Sequence, residues 1–450
     1  MARWRVRPSG PLRGRVRVPG DKSIGHRAVL FAALARGRSR VCGLSGGEDN
    51  RATLAAMRAM GVGIAEQGDE VVIDGVGLRG LRMPRDVVDC GNSGTTMRLL
   101  AGLLSGQRFG TRLVGDASLM KRPMGRVVSP LRARGAHIGG TSPEGRPVTE
   151  GKMTAPLSIA LLVEGERLVG LEYDMPIASA QVKSCLLLSG LYAAGPTSIR
   201  EPVLSRDHTE RMMIALGVPL QTAGSAVHLE PLPTDFGWDG AEWEVPGDIS
   251  SAAFPLVAAA SVPDSEVELE GVGVNPTRTG LLDMLRQMGA RTEYLPQPEA
   301  AGGEPRADLA LRWVQTRGAL LGGEMLVRMI DEVPALCALA AAAQGVTEVR
   351  DATELRVKET DRIAAMAEVL DAFGVPCETL EDGMRITGVE GPLRAAQVRS
   401  QGDHRIAMSA ACLALRAEAE CIVDDVECVR TSFPTFVDTM RALGADLEEA

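Results

Sequence analysis

With 450 residues, of which 45% are apolar and 24% charged, the chain is too long for one core and reads as a soluble globular protein of two domains. A formal net charge of −9 and 3% aromatic residues, with no basic tail, argue against a nucleic-acid-binding surface. No stretch has the roughly 18 apolar residues of a membrane span, no apolar segment follows the basic N-terminus, and the eight cysteines show no C-x-x-C spacing. A reduced, cytoplasmic protein is expected.

In chain order, Arg3, Arg5 and Arg7, then Arg13, Arg15 and Arg17, alternate with apolar or small residues. The period of two predicts strands with one wet face, not a nucleic-acid arm. A repeated unit follows. A turn of small and polar residues opens an Ala/Leu-rich helix at residues 20–34, 91–104, 179–191, 247–260, 331–343 and 402–415. These helices are apolar nearly all round and so are expected to be buried. Between them a second helix, charged on one face, closes on a glycine: Gly61, Gly135, Gly217, Gly289, Gly374 and Gly444. Glycine suits the left-handed position that ends many helices. Short alternating stretches after it, such as 71–73 and 384–386, read as strands. The unit is about βαβαββ, used six times at intervals of roughly 70–90 residues, longer than solenoid repeats.

Six buried helices fit two domains of three units each. V-P-G-D occurs at 18–21 and again at 245–248 and marks the hinge. One domain is placed at 21–245, the other at 1–20 plus 246–450.

The candidate chemistry lies at the starts of the buried helices. Lys22, Ser23, His26 and Arg27 crowd the first, and Asn92, Thr95 and Arg98 the second. Ser179, Gln181 and Lys183 open the third, Asp331 and Glu332 the fifth, and Asp403, His404 and Arg405 the sixth. Helix N-termini carry unpaired N–H groups and partial positive charge, which suits anions. Capping explains Ser179 and Asp248. It does not explain Lys22, Arg27 and Arg98, whose charge opposes the helix dipole unless an anion lies between. Lys121 and Arg122 add a second cationic segment. Only five of the 49 Lys and Arg residues are lysines, and one is Lys358, in the charge-alternating run 356–362 beside Glu359. Lys is a compact point charge and Arg a fixed fork, so the choice of Lys there asks for a chemical reason. Asp331 and Glu359 are candidates to divide acid and base work. His26, His137, His208, His228 and His404 lack metal-ligand spacing, and neither a P-loop nor a dinucleotide fingerprint occurs.

Asp21-Lys-Ser-x-x-x-Arg27, Gly91-Asn-Ser-Gly-Thr95 with Arg98, Lys121-Arg-Pro123, Ser179-Ala-Gln181, Leu355-Arg-Val-Lys-Glu-Thr-Asp-Arg362 and Asp403-His-Arg405 occur in this order. Together they resemble the 5-enolpyruvylshikimate-3-phosphate synthases of the shikimate pathway, from about Pro19 to Pro434. Residues 178–183, 206–208 and 330–334 are similar to the bacterial class II branch. The resemblance implies an α/β fold of the α+β type: a two-domain inside-out α/β barrel, three βαβαββ units per domain, with the active site in the cleft between domains. It implies transfer of the enolpyruvyl group of phosphoenolpyruvate to the 5-hydroxyl of shikimate 3-phosphate, with release of phosphate. By motif position, Lys22, Ser23, Arg27, Ser179, Ala180, Gln181, Arg206, Asp331 and Lys358 would bind shikimate 3-phosphate. Lys22, Gly94, Arg122, Gln181, Arg362 and Arg405 would hold phosphoenolpyruvate. Asp331, Glu359 and Lys22 would be catalytic. Both partners are small molecules, neither metal nor organic cofactor is implied, and a monomer is expected.

The chain departs from the resemblance at Thr431, which precedes Ser432-Phe433-Pro434 where many relatives have Lys, with Arg430 one step back. Ala180 stands where other branches have Ser. Gly94 would leave room for glyphosate, which an Ala would crowd. The related UDP-N-acetylglucosamine enolpyruvyl transferases share fold and donor, but their hallmark is a reactive cysteine, and the run 117–122 has none. A non-catalytic phosphate-binding repeat scaffold explains the six units but not the placement of the lysines.

Overall fold

The computed structural model describes residues 2–142, 146–148, 153–300 and 302–450. By density of contacts the chain forms two compact units. The first lobe is Lys22–Val245 with Ala300–Glu304, and the second is Met1–Asp21, Pro246–Glu299 and Pro305–Ala450. Each has its own apolar core.

The apolar repeats fold as the helices Lys22–Ala33, Gly94–Leu104 and Ala180–Gly190 in the first lobe. Ile249–Ser261, Val333–Ala340 and His404–Ala414 are their counterparts in the second. Every residue of Ile249–Ser261, Val333–Ala340 and His404–Ala414 is buried. Small residues let these helices approach closely. A Cβ on Gly102 would lie 2.1 Å from the carbonyl oxygen of Cys185, so Gly94–Leu104 and Ala180–Gly190 meet backbone to backbone.

The second helix of each unit ends as its glycine demands. Gly61, Gly135, Gly217, Gly289, Gly374 and Gly444 all have positive φ, between 74° and 96°. At each end the glycine N–H bonds the carbonyl three residues back, and the next N–H bonds the carbonyl five residues back, as in Gly61 to Arg58 and Val62 to Met57. This is the Schellman geometry, which satisfies carbonyls that a helix end leaves open.

The third unit gives the sheet plan. Leu171–Asp174 runs parallel to Thr197–Arg200, Ala226–Leu229 pairs antiparallel with Thr197–Arg200, and Leu220–Ala223 forms the far edge. Among the described residues six such sheets occur, three in each lobe, and the second unit's carries a fifth strand. Three of them take a strand from a distant part of the chain. Glu242–Glu244 pairs parallel with Arg36–Cys42, and Arg13–Val16 pairs parallel with Glu266–Gly273. Arg3–Val6 lies between Cys421–Asp424 and Leu447–Glu449. The two N-terminal strands therefore join different sheets. Trp4 and Val6 face the core, while Arg5 reaches Glu420 and Glu448, and Arg15 reaches Glu268, Glu270 and Asp308.

The P-G-D portions of the two segments, residues 19–21 and 246–248, lie side by side in the second lobe. The Asp21 N–H donates to the Pro246 carbonyl at 2.7 Å, and the Asp248 N–H donates to the Pro19 carbonyl at 2.8 Å. The chain passes from one compact unit to the other at this paired stretch.

Candidate active site

In the first lobe, cations gather at the starts of the inner helices. Lys22 is the first residue of its helix, and its Nζ lies 2.8 Å from Asp49 Oδ2. A protein carboxylate thus supplies the local negative charge that Lys22 needs at that end. Ser23 follows it, partly buried. Arg27, one turn on, is buried. Its guanidinium donates to Thr209 Oγ1 and Ser184 Oγ, both at 2.6 Å, and to the Ser23 carbonyl at 2.8 Å. It ties three helices together, and the rigidity it gives Ser23 is local.

A second group forms around Gly94. Arg98 Nη1 donates to Gln181 Oε1 at 2.8 Å, Gln181 Nε2 donates to Thr95 Oγ1 at 2.8 Å, and Arg122 Nη2 donates to Asn92 Oδ1 at 3.0 Å. A Cβ on Gly94 would fall 2.6 Å from Arg98 Nη1 and 3.1 Å from Arg122 Nη1. Two guanidinium groups therefore converge over a glycine at a helix start, a built setting for an anion. Ser179 caps the neighbouring helix by accepting from the Val182 N–H, and Ala180 begins it. Arg206 is partly buried in the segment before His208–Ala215. Lys183, by contrast, is buried between Glu201 at 2.5 Å and Glu210 at 2.7 Å. Burial opposes its charge, but the two carboxylates outweigh that and hold its pKa above the ordinary lysine value. Its role is to fix Glu201, which also bonds the Ser205 N–H and Oγ just ahead of Arg206.

In the second lobe the charged run 356–362 wraps onto the start of an outer helix. Residues Thr353–Val357 form a 3-10 turn, and Asp361 caps the helix Arg362–Ala372 by accepting from the Ile363 and Ala364 N–H groups. Arg356 holds this cap through Asp361 Oδ2 at 2.8 Å. Arg362 is the hub. Its Nε donates to Asp403 Oδ2 at 2.7 Å, its Nη1 lies 3.3 Å from Asp331 Oδ1, and its Nη2 donates to Glu359 Oε2 at 2.7 Å. Lys358 Nζ is 3.4 Å from the same Asp331 oxygen. Arg405 Nη1 donates to the Asp331 main-chain carbonyl at 2.8 Å. Burial alone would lower the Arg362 pKa, yet Asp403, Glu359 and Asp331 more than offset it, so the guanidinium stays charged. Removing one partner of such a buried pair costs about 3–5 kcal/mol, because the other charge is left uncompensated.

The cluster thus brings together Asp331, Lys358, Glu359, Arg362 and Arg405 from segments far apart in sequence. Arg362 separates the two carboxylates and gives each its own surroundings, the condition for dividing proton-transfer roles. Arg430 lies apart from these contacts, exposed on the 3-10 turn Val426–Thr431, while Phe433 packs into the core against Phe436.

Some of these partners were not legible in the sequence. Asp49 sits in the acidic first turn of an outer helix, where a carboxylate is common in any case. Ser184 and Thr209 look like ordinary helical polar residues. Arg278, buried in the second lobe, belongs to no periodic pattern.

Repeated βαβαββ units built round buried helices, with cations drawn to the helix starts, define an inside-out α/β protein of the enolpyruvyl transferase class. The sequence profile of one family within it, EPSP synthase (3-phosphoshikimate 1-carboxyvinyltransferase), matches residues 6–440. The chain belongs to the EPSP synthase family. It is 50% identical over 443 residues to the 3-phosphoshikimate 1-carboxyvinyltransferase of Citrifermentans bemidjiense, covering 98% of this chain and 99% of the relative. It is 52% identical over 440 residues to that of Syntrophotalea carbinolica, covering 97% and 98%. Among solved structures, an EPSP synthase from Acinetobacter baumannii superposes with a TM-score of 0.86 at 43% identity, covering 100% of both chains.

Proposed function

We infer that this chain is a 3-phosphoshikimate 1-carboxyvinyltransferase. It transfers the enolpyruvyl group of phosphoenolpyruvate to the 5-hydroxyl of shikimate 3-phosphate and releases phosphate. The observation that carries the mechanistic reading is Arg362 held between Asp331 and Glu359, with Lys358 on Asp331 and Arg405 on its carbonyl.

In this reading Asp331 takes the proton of the 5-hydroxyl as that oxygen attacks C2 of phosphoenolpyruvate. Glu359 protonates C3, which gives a tetrahedral intermediate. The C2–O bond to phosphate then breaks and C3 loses a proton, restoring the double bond. Each acid–base role contributes about 10²–10⁴ in rate. Lys22 serves both substrates. Lys22, Ser23, Arg27, Ser179, Ala180, Gln181, Arg206, Asp331 and Lys358 receive shikimate 3-phosphate, whose phosphate and carboxylate account for the cations among them. Lys22, Gly94, Arg122, Gln181, Arg362 and Arg405 receive phosphoenolpyruvate, and fixed guanidinium groups stabilise charge as it moves through the intermediate.

The free thiols of Cys42, Cys90, Cys185, Cys337, Cys377, Cys412, Cys421 and Cys428 suit the cytoplasm, where we place the protein as a monomer. Among the described residues no helix is long and apolar enough to cross a membrane. The test is phosphate release from phosphoenolpyruvate. Release that depends on shikimate 3-phosphate supports the reading, and release with UDP-N-acetylglucosamine instead, or with neither acceptor, overturns it.

A further inference from the structure

Arg278 lies between the strand Glu266–Gly273 and the helix Gly280–Gln287, buried at 2% exposure. Its Nη2 donates to Ser250 Oγ at 2.7 Å and stands 3.6 Å from both Asp248 Oδ1 and Glu332 Oε1. Its Nη1 stands 4.0 Å from Asp21 Oδ2. Ser250 Oγ in turn donates to Glu332 Oε1. On its other side Glu332 Oε1 is 4.0 Å from Arg405 Nη1, the nitrogen that bonds the Asp331 carbonyl at 2.8 Å. Glu332 is wholly buried, so its carboxylate must be held by the cations beside it.

One guanidinium therefore faces Asp21 and Asp248, the last residues of the two V-P-G-D segments, and also Glu332. Glu332 adjoins Asp331 in sequence and faces Arg405 in space. We propose that Arg278 is a positioning residue for enolpyruvyl transfer, fixing Asp331 and Arg405 through Glu332 and anchoring the paired crossing segments to the same point. This rests on the roles given above to Asp331 and Arg405. Arg278 itself need touch no substrate. Its effect is geometric: a base or a phosphate ligand displaced by about 1 Å can cost about 10²-fold in rate.

A purely structural role would lower stability and leave turnover per folded molecule unchanged. The test compares wild type, Arg278→Lys, Arg278→Met and Glu332→Gln by steady-state phosphate release, with shikimate 3-phosphate binding followed by tryptophan fluorescence and folding by melting curves. Wild-type turnover alone tests the functional reading, and the variants test this inference. For folded Arg278→Met, kcat is expected to fall about 10²-fold while the shikimate 3-phosphate Kd moves less than about threefold, with Arg278→Lys between. A folded Arg278→Met with kcat within about threefold of wild type overturns the proposal, whatever its melting temperature. If Arg278→Met does not fold, Glu332→Gln decides. It keeps the side-chain shape and an oxygen for Ser250 but removes the charge shared by Arg278 and Arg405. A rise in KM for phosphoenolpyruvate of about tenfold supports the proposal, and an unchanged kcat/KM overturns it.

Discussion

Gly94→Ala would place a methyl group against two guanidinium groups. The new methyl carbon would sit 2.6 Å from Arg98 Nη1 and 3.1 Å from Arg122 Nη1. Ordinary contact needs roughly 3.5 Å, so the Arg98 tip must retreat by about 1 Å. Both neighbours are far ends of flexible side chains, and the fold should survive. The Arg98 tip, however, holds Gln181 Oε1 at 2.8 Å, and such a retreat stretches that bond past the range in which it counts. A hydrogen bond to a charged group contributes about 1.5–3 kcal/mol, which is roughly a 10–100-fold change in affinity. Arg122 is assigned to phosphoenolpyruvate alone and Gln181 to both substrates, so the phosphoenolpyruvate KM should rise within that range and by more than the shikimate 3-phosphate Kd. Glyphosate should inhibit the wild-type protein when phosphoenolpyruvate is low and should lose more affinity than phosphoenolpyruvate in the variant. The assay is phosphate release with each ligand varied in turn. A Gly94→Ala protein with unchanged KM and unchanged glyphosate inhibition would refute the assignment of this pocket.

Two further outcomes follow from buried groups. Burial first, and then Asp21, push the Asp248 carboxyl up to about 6, against the opposing pull of Arg278. A raised carboxyl pKa gives stability that is full below the unfolded value near 4 and is lost as pH rises through about 6. Asp248→Asn, which can still cap its helix, should therefore be more stable than wild type at pH 8, by an amount on the order of 3 kcal/mol, and the gap should close toward pH 4. A gap that widens on acidification would contradict this. The second outcome concerns thiols: burial pushes Cys90, Cys185, Cys412 and Cys428 up to about 12, and Cys42 alone is exposed. Iodoacetamide at neutral pH should label the native protein mainly at Cys42 and leave turnover intact, and loss of activity in step with labelling would point to a catalytic cysteine.

The features readable from the sequence were those with a period or a punctuation mark. Six apolar helical stretches and six closing glycines specified the repeat, because burial and positive φ leave a local signature in residue type. Charge clusters at helix starts pointed to Lys22, Arg98 and the run 356–362. Their partners were harder to see. Asp49, Ser184 and Thr209 act through contacts to residues distant in the chain, and nothing in their own surroundings distinguishes them from surface carboxylates or helical hydroxyls. The exchange of strands was likewise hidden. Arg3–Val6 and Arg13–Val16 alternate alike, yet they complete sheets at opposite ends of the second lobe's sequence. Arg27 shows the converse case: a motif cation that bonds Ser23, Ser184 and Thr209, so that part of its role is to brace the helix that carries Lys22.

The central chemical claim is that C3 of phosphoenolpyruvate is protonated by Glu359 and then gives up a proton as phosphate departs. Turnover in deuterated water, with the vinyl group of the product read by proton NMR, tests this most directly. The wild-type product should carry deuterium in its vinyl methylene, and Glu359→Ala should lose about 10²–10⁴-fold in turnover despite retained binding of shikimate 3-phosphate. A product whose vinyl hydrogens come only from phosphoenolpyruvate, or a Glu359→Ala protein with turnover near that of wild type, would contradict the assignment.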